Sequence, residues 1–206
     1  MTADTPTVLV DQLWARPSAR TSAAIRTAVL VVGFALLTAA LAQWKLSLSF
    51  TPVPITGQTL GVLLAGGTLG WRSGAASQLL YWLMGLTGLP FYAGGKGGWT
   101  AGTGTTMGYL VGFVVAAGVI GYLAERKQDR NLASSWSAMA LGSIIIYAFG
   151  AGWLAYKLNI PVATGKDNAL AFGVTPFLIG DTIKLVLAGA LLPGAWALAN
   201  RKPHAD

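Results

Sequence analysis

Asp181 and Lys184 stand three residues apart in "TPFLIGDTIKLVLAGALLPGAW", residues 175–196, a stretch that is otherwise almost wholly apolar. A charge at mid-membrane costs about 2.5–3.5 kcal/mol on insertion scales, so two opposite charges held there call for a reason. At i and i+3 both side chains fall on one helical face and can neutralise each other, and Gly180 leaves room for a neighbouring helix or a ligand. Three roles fit: a polar-ligand site, a buried ion pair gluing one helix to its neighbours, or a proton or ion relay. A relay is disfavoured, because it needs a chain of titratable groups and this pair stands alone inside the apolar segments.

Two other stretches bring polar groups together. In "SLSFTPVPITGQT", residues 47–59, Pro52 and Pro54 favour an extended path, and Thr56, Gln58 and Thr59 supply hydroxyl and amide groups at the mouth of a short helix. Helix capping is the alternative role for Thr56. In "LPFYAGGKGGWTAGTGTTMGYLVGF", residues 89–113, Gly94, Gly95, Gly97 and Gly98 surround Lys96, so backbone N–H groups can approach a ligand closely. Phe91, Tyr92 and Trp99 offer flat apolar walls beside them. The loop lacks the G-K-[ST] ending of a phosphate-binding motif and the preceding strand of a dinucleotide fingerprint, so a nucleotide is not its ligand. A tight outer turn with no ligand is the plainer alternative.

These residues must be positioned by membrane helices. Of 206 residues 54% are hydrophobic and 10% charged, and the mean hydropathy is +0.59. Several runs approach the roughly 20 residues that span a bilayer. The 27 glycines fit this class, since small residues let membrane helices approach closely. The net charge of +7 is scattered between apolar runs instead of gathered on one face, which argues against nucleic acid as a partner. With no Cys, and one His at position 204 in a polar tail, neither a thiolate or His-ligated metal site nor a His-based triad can be assembled.

Apolar segments fall at about 24–43, 57–70, 73–89, 104–124, 133–158 and 174–199, bounded by charges, Pro or Gly. The expected architecture is all-α: a polytopic protein with six transmembrane helices in one domain, 23–200, after a polar arm at 1–22 and before a tail at 201–206. The first segment mimics a signal peptide, with "ALA" at 40–42, but is read as a retained helix. The arm suits a flexible extension or a short surface helix. "GQTLGVLLAGGTLG" is too short to span straight across roughly 30 Å of hydrocarbon and must be sheltered by protein. With the N-terminus cytoplasmic, the inner side holds nine Lys and Arg and the outer side four, namely Lys45, Lys96, Lys157 and Lys166, which puts both termini inside. On the first helix, Ala35 and Ala39 are one turn apart, as are Ala24 and Ala28; such pairs serve internal packing or docking to another membrane protein.

Four stretches carry a family resemblance. "PVPITGQTLGVLLAGGTLG", "GLTGLPFYAGGKGG", "GYLVGF" and "PFLIGDTIK", in this order and at natural spacings, resemble the BioY family, the biotin-binding S components of energy-coupling-factor transporters. The resemblance runs from about Ala35 to Leu192. It implies a six-helix S-component fold in the cell membrane that captures biotin from the outside, with no enzymatic activity and no cofactor. The implied partners are a transmembrane coupling protein and two cytosolic ATPases. It further implies that Asp181 and Lys184 meet the ligand, with Thr56, Gln58, Tyr92, Gly94, Gly95, Lys96, Trp99 and Tyr109 in the same site, and that Ala35 and Ala39 dock on the coupling protein. One departure stands out: the family's usual "GPTGGY" reads "GTTMGY" here, with Thr105 for Pro and Met107 for Gly. Biotin offers two ureido N–H donors, a ureido oxygen, an apolar ring and chain, and a carboxylate. Asp181 suits a ureido N–H, and Lys184 suits either the ureido oxygen or the carboxylate.

Overall fold

A computed structural model describes residues 7–200; the first six residues of the arm and the 201–206 tail lie outside the described residues. In chain order the elements are α1 (Leu9–Leu13), α2 (Arg20–Ala42), β1 (Lys45–Leu46), β2 (Ile55–Thr56), α3 (Gln58–Leu69), α4 (Trp71–Leu86), α5 (Trp99–Gly102), α6 (Met107–Glu125), α7 (Leu132–Leu158), α8 (Ala169–Gly173), a 3-10 turn (Thr175–Phe177) and α9 (Leu178–Ala199). By length and composition, α2, α6, α7 and the stretch Ala169–Ala199 are long and apolar enough to cross a membrane. The 12-residue α3 is about 18 Å long and packs on α2, α4, α6 and α9, which shelter it.

Helix ends follow local chemistry. Asn131 caps α7 by accepting from Ser134 N at 3.0 Å, and Asn159 ends that helix in the left-handed region at φ 53. Two short strands add to the expected all-α architecture: β1 pairs antiparallel with β2, Lys45 opposite Thr56 and Leu46 opposite Ile55. The chain reverses between them at Ser49 and Phe50.

α6 is the hub of the bundle, packed on α3, α4 and α7. Glycine permits the approach. A Cβ at Gly108 would collide with the Phe149 carbonyl and the Trp153 Cβ of α7, and one at Gly121 with the backbone of Gly70 and Trp71. Where α2 meets α4 the seam is polar and fully buried: Gln78 Nε2 donates to Thr38 Oγ1 at 3.2 Å and to Ser77 Oγ at 3.1 Å, so no donor of that amide is left unmet.

Within the arm, the short helix α1 buries one side against the bundle while Leu13 and Trp14 remain exposed. Val8, Leu9 and Val10 are buried, and α1 packs on α3 and α9. Arg26 Nη2, itself buried, donates to Val10 O at 2.9 Å and to Asp11 Oδ1 at 3.1 Å, stapling the arm to α2, which already begins at Arg20. Of the small-residue pairs on α2, Ala35 is 0% and Ala39 6% exposed, both in the main core cluster, where they pack inside the bundle. Ala24 and Ala28, at the same spacing, are exposed.

Candidate ligand-binding cavity

Where α2 and α4 finish and α3, α6 and α9 begin, the helix ends and loops enclose a cavity of about 630 Å³, within the range of small-molecule sites. Its walls draw on the β1–β2 region, the mouth of α3, the glycine loop, α6, the middle of α7 and the start of α9. Leu110, Phe113, Ile146 and Phe177 line it with apolar surface. Its polar groups sort into those already satisfied by the protein and those that are not.

Asp181 belongs to a four-residue cluster. Its Oδ1 accepts from Lys184 Nζ at 2.6 Å and from Thr59 Oγ1 at 2.9 Å, and its Oδ2 accepts from Tyr147 Oη at 2.6 Å. Lys184 Nζ also donates to Thr56 O at 2.5 Å and to Thr59 Oγ1 at 3.2 Å. An ammonium has three protons, and all three are placed; Lys184 does not line the cavity. A carboxylate has about four acceptor sites, of which three are filled, so Asp181 keeps one on Oδ2. Asp181 is 9% exposed and lines the cavity. A buried carboxylate with an open acceptor site beside a cavity is suited to an incoming N–H donor.

The other predicted residues divide. Gln58 lines the cavity with its amide half engaged: Nε2 donates to Tyr81 Oη and Oε1 accepts from Thr56 Oγ1 at 2.7 Å, which leaves one N–H and one acceptor site. Tyr109 and Tyr92 line it with their rings while their hydroxyls donate away, to Gly173 O and Trp82 O, each at 2.7 Å. Burial pushes the Tyr92 hydroxyl up to about 12, so it remains a neutral donor. Lys96 lines the cavity. Gly94, Gly95 and Trp99 do not. The Gly95 N–H is taken by Gln43 Oε1 at 2.9 Å, Gly94 lies against the Lys45 side chain, and the Trp99 ring is 71% exposed. The glycine loop turns on a Tyr92 N to Lys96 O bond of 2.8 Å, with Gly94 and Gly95 at φ +70 and +72, so it shapes the wall more than it offers free N–H groups.

Tyr147, Lys45 and Thr51 are lining residues outside the sequence-derived set. Tyr147 carries no signal in sequence, because a tyrosine in a long apolar helix reads as packing. Thr59 shows there only as a hydroxyl near a helix mouth, whereas its partner Asp181 is 122 residues away.

Known proteins identify the family. The BioY family matches residues 15–201. The biotin transporter BioY of Rhizobium etli is 39% identical over 175 residues, covering 81% of this chain and 90% of that protein. The chain belongs to the BioY family. Its similarity to the biotin transporter BioY of Thermotoga maritima is 38% over 169 residues, covering 82% of this chain and 90% of the relative. Among solved structures, the crystal structure at 2.1 Å of the S-component for biotin from an ECF-type ABC transporter superposes with a TM-score of 0.77 at 25% identity, covering 90% of this chain and 96% of that one. The BioY fold is therefore present along nearly the whole described chain.

Proposed function

We propose that this BioY-family chain is the substrate-binding membrane subunit of a biotin uptake transporter. The observation that carries the reading is the buried Asp181 carboxylate with one acceptor site left open at a cavity of about 630 Å³. Names of relatives in the family add biotin as the ligand. The ureido ring supplies an N–H donor for Asp181, the cavity's apolar residues hold the thiophane ring and chain, and Lys96 adds positive charge to the cavity wall. In this reading Lys184 acts by positioning Asp181, its three protons being taken by Thr56 O, Thr59 Oγ1 and Asp181 Oδ1.

The orientation proposed is six spanning helices with both termini cytoplasmic, supported by the nine-to-four excess of Lys and Arg on the inner side. The cavity then opens outward. The chain contains no P-loop sequence, so ATP-driven delivery inward calls on partner chains, a transmembrane coupling protein and two cytosolic ATPases in the plasma membrane. The exposed Ala24 and Ala28 on α2 take over the docking role from the buried Ala35 and Ala39. A binding panel in detergent with biotin, desthiobiotin, thiamine and riboflavin tests the ligand: selective binding of the two ureido compounds is expected, and selective binding of thiamine or riboflavin overturns the assignment.

A further inference from the structure

Lys45 is a second cation at the cavity, and no anion answers it. Among the described residues the ion pairs are Arg16 and Arg26 with Asp11, and Lys184 with Asp181. The Lys45 side chain enters none of them although it lines the cavity, as does Lys96. Its position is built, not incidental. The β1–β2 pairing sets Lys45 opposite Thr56 at the mouth of α3, and its stem lies across the glycine loop: a Cβ at Gly94 would stand 2.9 Å from Lys45 Cδ and 3.1 Å from Nζ. Gly94 therefore serves two ends, adopting φ +70 and giving the lysine a surface to lie on. An unpaired ammonium laid along the wall of a cavity favours a ligand that brings a negative charge.

We propose that Lys45 is a specificity-determining residue that reads the anionic tail of the ligand, its ammonium meeting the carboxylate above the glycine loop. This rests on the biotin reading above. The test is isothermal titration of wild type, Lys45→Met and Lys45→Arg in detergent, with biotin and with biotinamide, whose tail is uncharged. Met keeps the stem over Gly94 and removes only the charge. Wild type is expected to prefer biotin, and Lys45→Met to weaken biotin by about two- to fivefold, the range for a solvent-exposed charge pair, while leaving biotinamide unchanged. Lys45→Arg should restore the preference, and added salt should erode it in wild type more than in Lys45→Met. Equal losses for both ligands, or no loss for either, overturns the proposal. Should wild type bind neither ligand, the biotin reading itself fails and takes this one with it.

Discussion

Tyr147 on α7 and Asp181 on α9 are 34 residues apart in the chain, and the tyrosine hydroxyl donates to Asp181 Oδ2 at 2.6 Å. With Thr59 and Lys184 on Oδ1, this bond holds the carboxylate from both sides and leaves a single open acceptor site. Removing the hydroxyl in Tyr147→Phe frees Oδ2 to rotate. Biotin affinity is expected to fall with the fold intact, by no more than about 1.5–3 kcal/mol, the usual worth of a hydrogen bond to a charged group. Titration calorimetry reads this directly, and unchanged affinity would show that Tyr147 does not orient Asp181.

Lys184→Met strands a buried carboxylate. Because the pair is largely buried, with side chains 16% and 11% exposed, the loss should be about 3–5 kcal/mol of stability. The double substitution Asp181→Asn with Lys184→Met removes both charges and should recover most of that stability without recovering binding. Thermal melts in detergent separate the two; a single mutant as stable as wild type argues against the pair as a structural unit.

Asp129, in the α6–α7 loop, is 2% exposed and accepts from Trp196 Nε1. Burial pushes its carboxyl above the ordinary carboxylate value. The folded state therefore holds the Asp129 proton more tightly than the unfolded chain. This group's contribution favours folding at low pH and is lost as pH rises from the unfolded value of about 4 through the folded one. Asp129→Asn keeps an acceptor for Trp196 and removes that titration. Its melting temperature at neutral pH should match or exceed wild type, with a flatter acid dependence; a variant clearly less stable at pH 7 contradicts the account.

Two helical glycines should respond oppositely. Gly108→Ala drives a Cβ into the Phe149 carbonyl and should force α6 from α7, lowering stability by a few kcal/mol. Gly152 faces open space, so Gly152→Ala should be neutral or stabilising by up to about 1 kcal/mol. Equal melts for the pair would remove close α6–α7 contact as the reason for the glycine.

Docking separates in the same way. Ala35→Trp should disrupt the fold because Ala35 is 0% exposed, whereas Ala28→Trp should keep biotin binding and lower uptake measured with a coupling module present. Full uptake by Ala28→Trp shows that this face of α2 is not the contact.

The long helices α2, α6, α7 and α9 are legible in the sequence because each is an apolar run closed by charge, Pro or Gly, and Asp181 is legible because a carboxylate in such a run is costly. The rest of its cluster is not. Thr59 and Tyr147 cost little in an apolar helix, and only folding brings them to Asp181. The saturation of Lys184 depends on a carbonyl at Thr56, 128 residues away, which no local spacing encodes. Ala35 is buried and Ala28 exposed, a difference spacing cannot show, since one turn between small residues looks the same on the inner and outer faces of α2. The burial of Val8, Leu9 and Val10 is not legible, because the run is too short to form a periodic pattern and its anchor, Arg26, lies inside the next helix.

The open acceptor site of Asp181 is the centre of the account, and titrating biotin into purified wild type and Asp181→Asn tests it most directly. Wild type should bind biotin, and the amide variant should lose about 1.5–3 kcal/mol of binding free energy while melting as a folded protein. Equal biotin affinity in the two proteins would contradict the account.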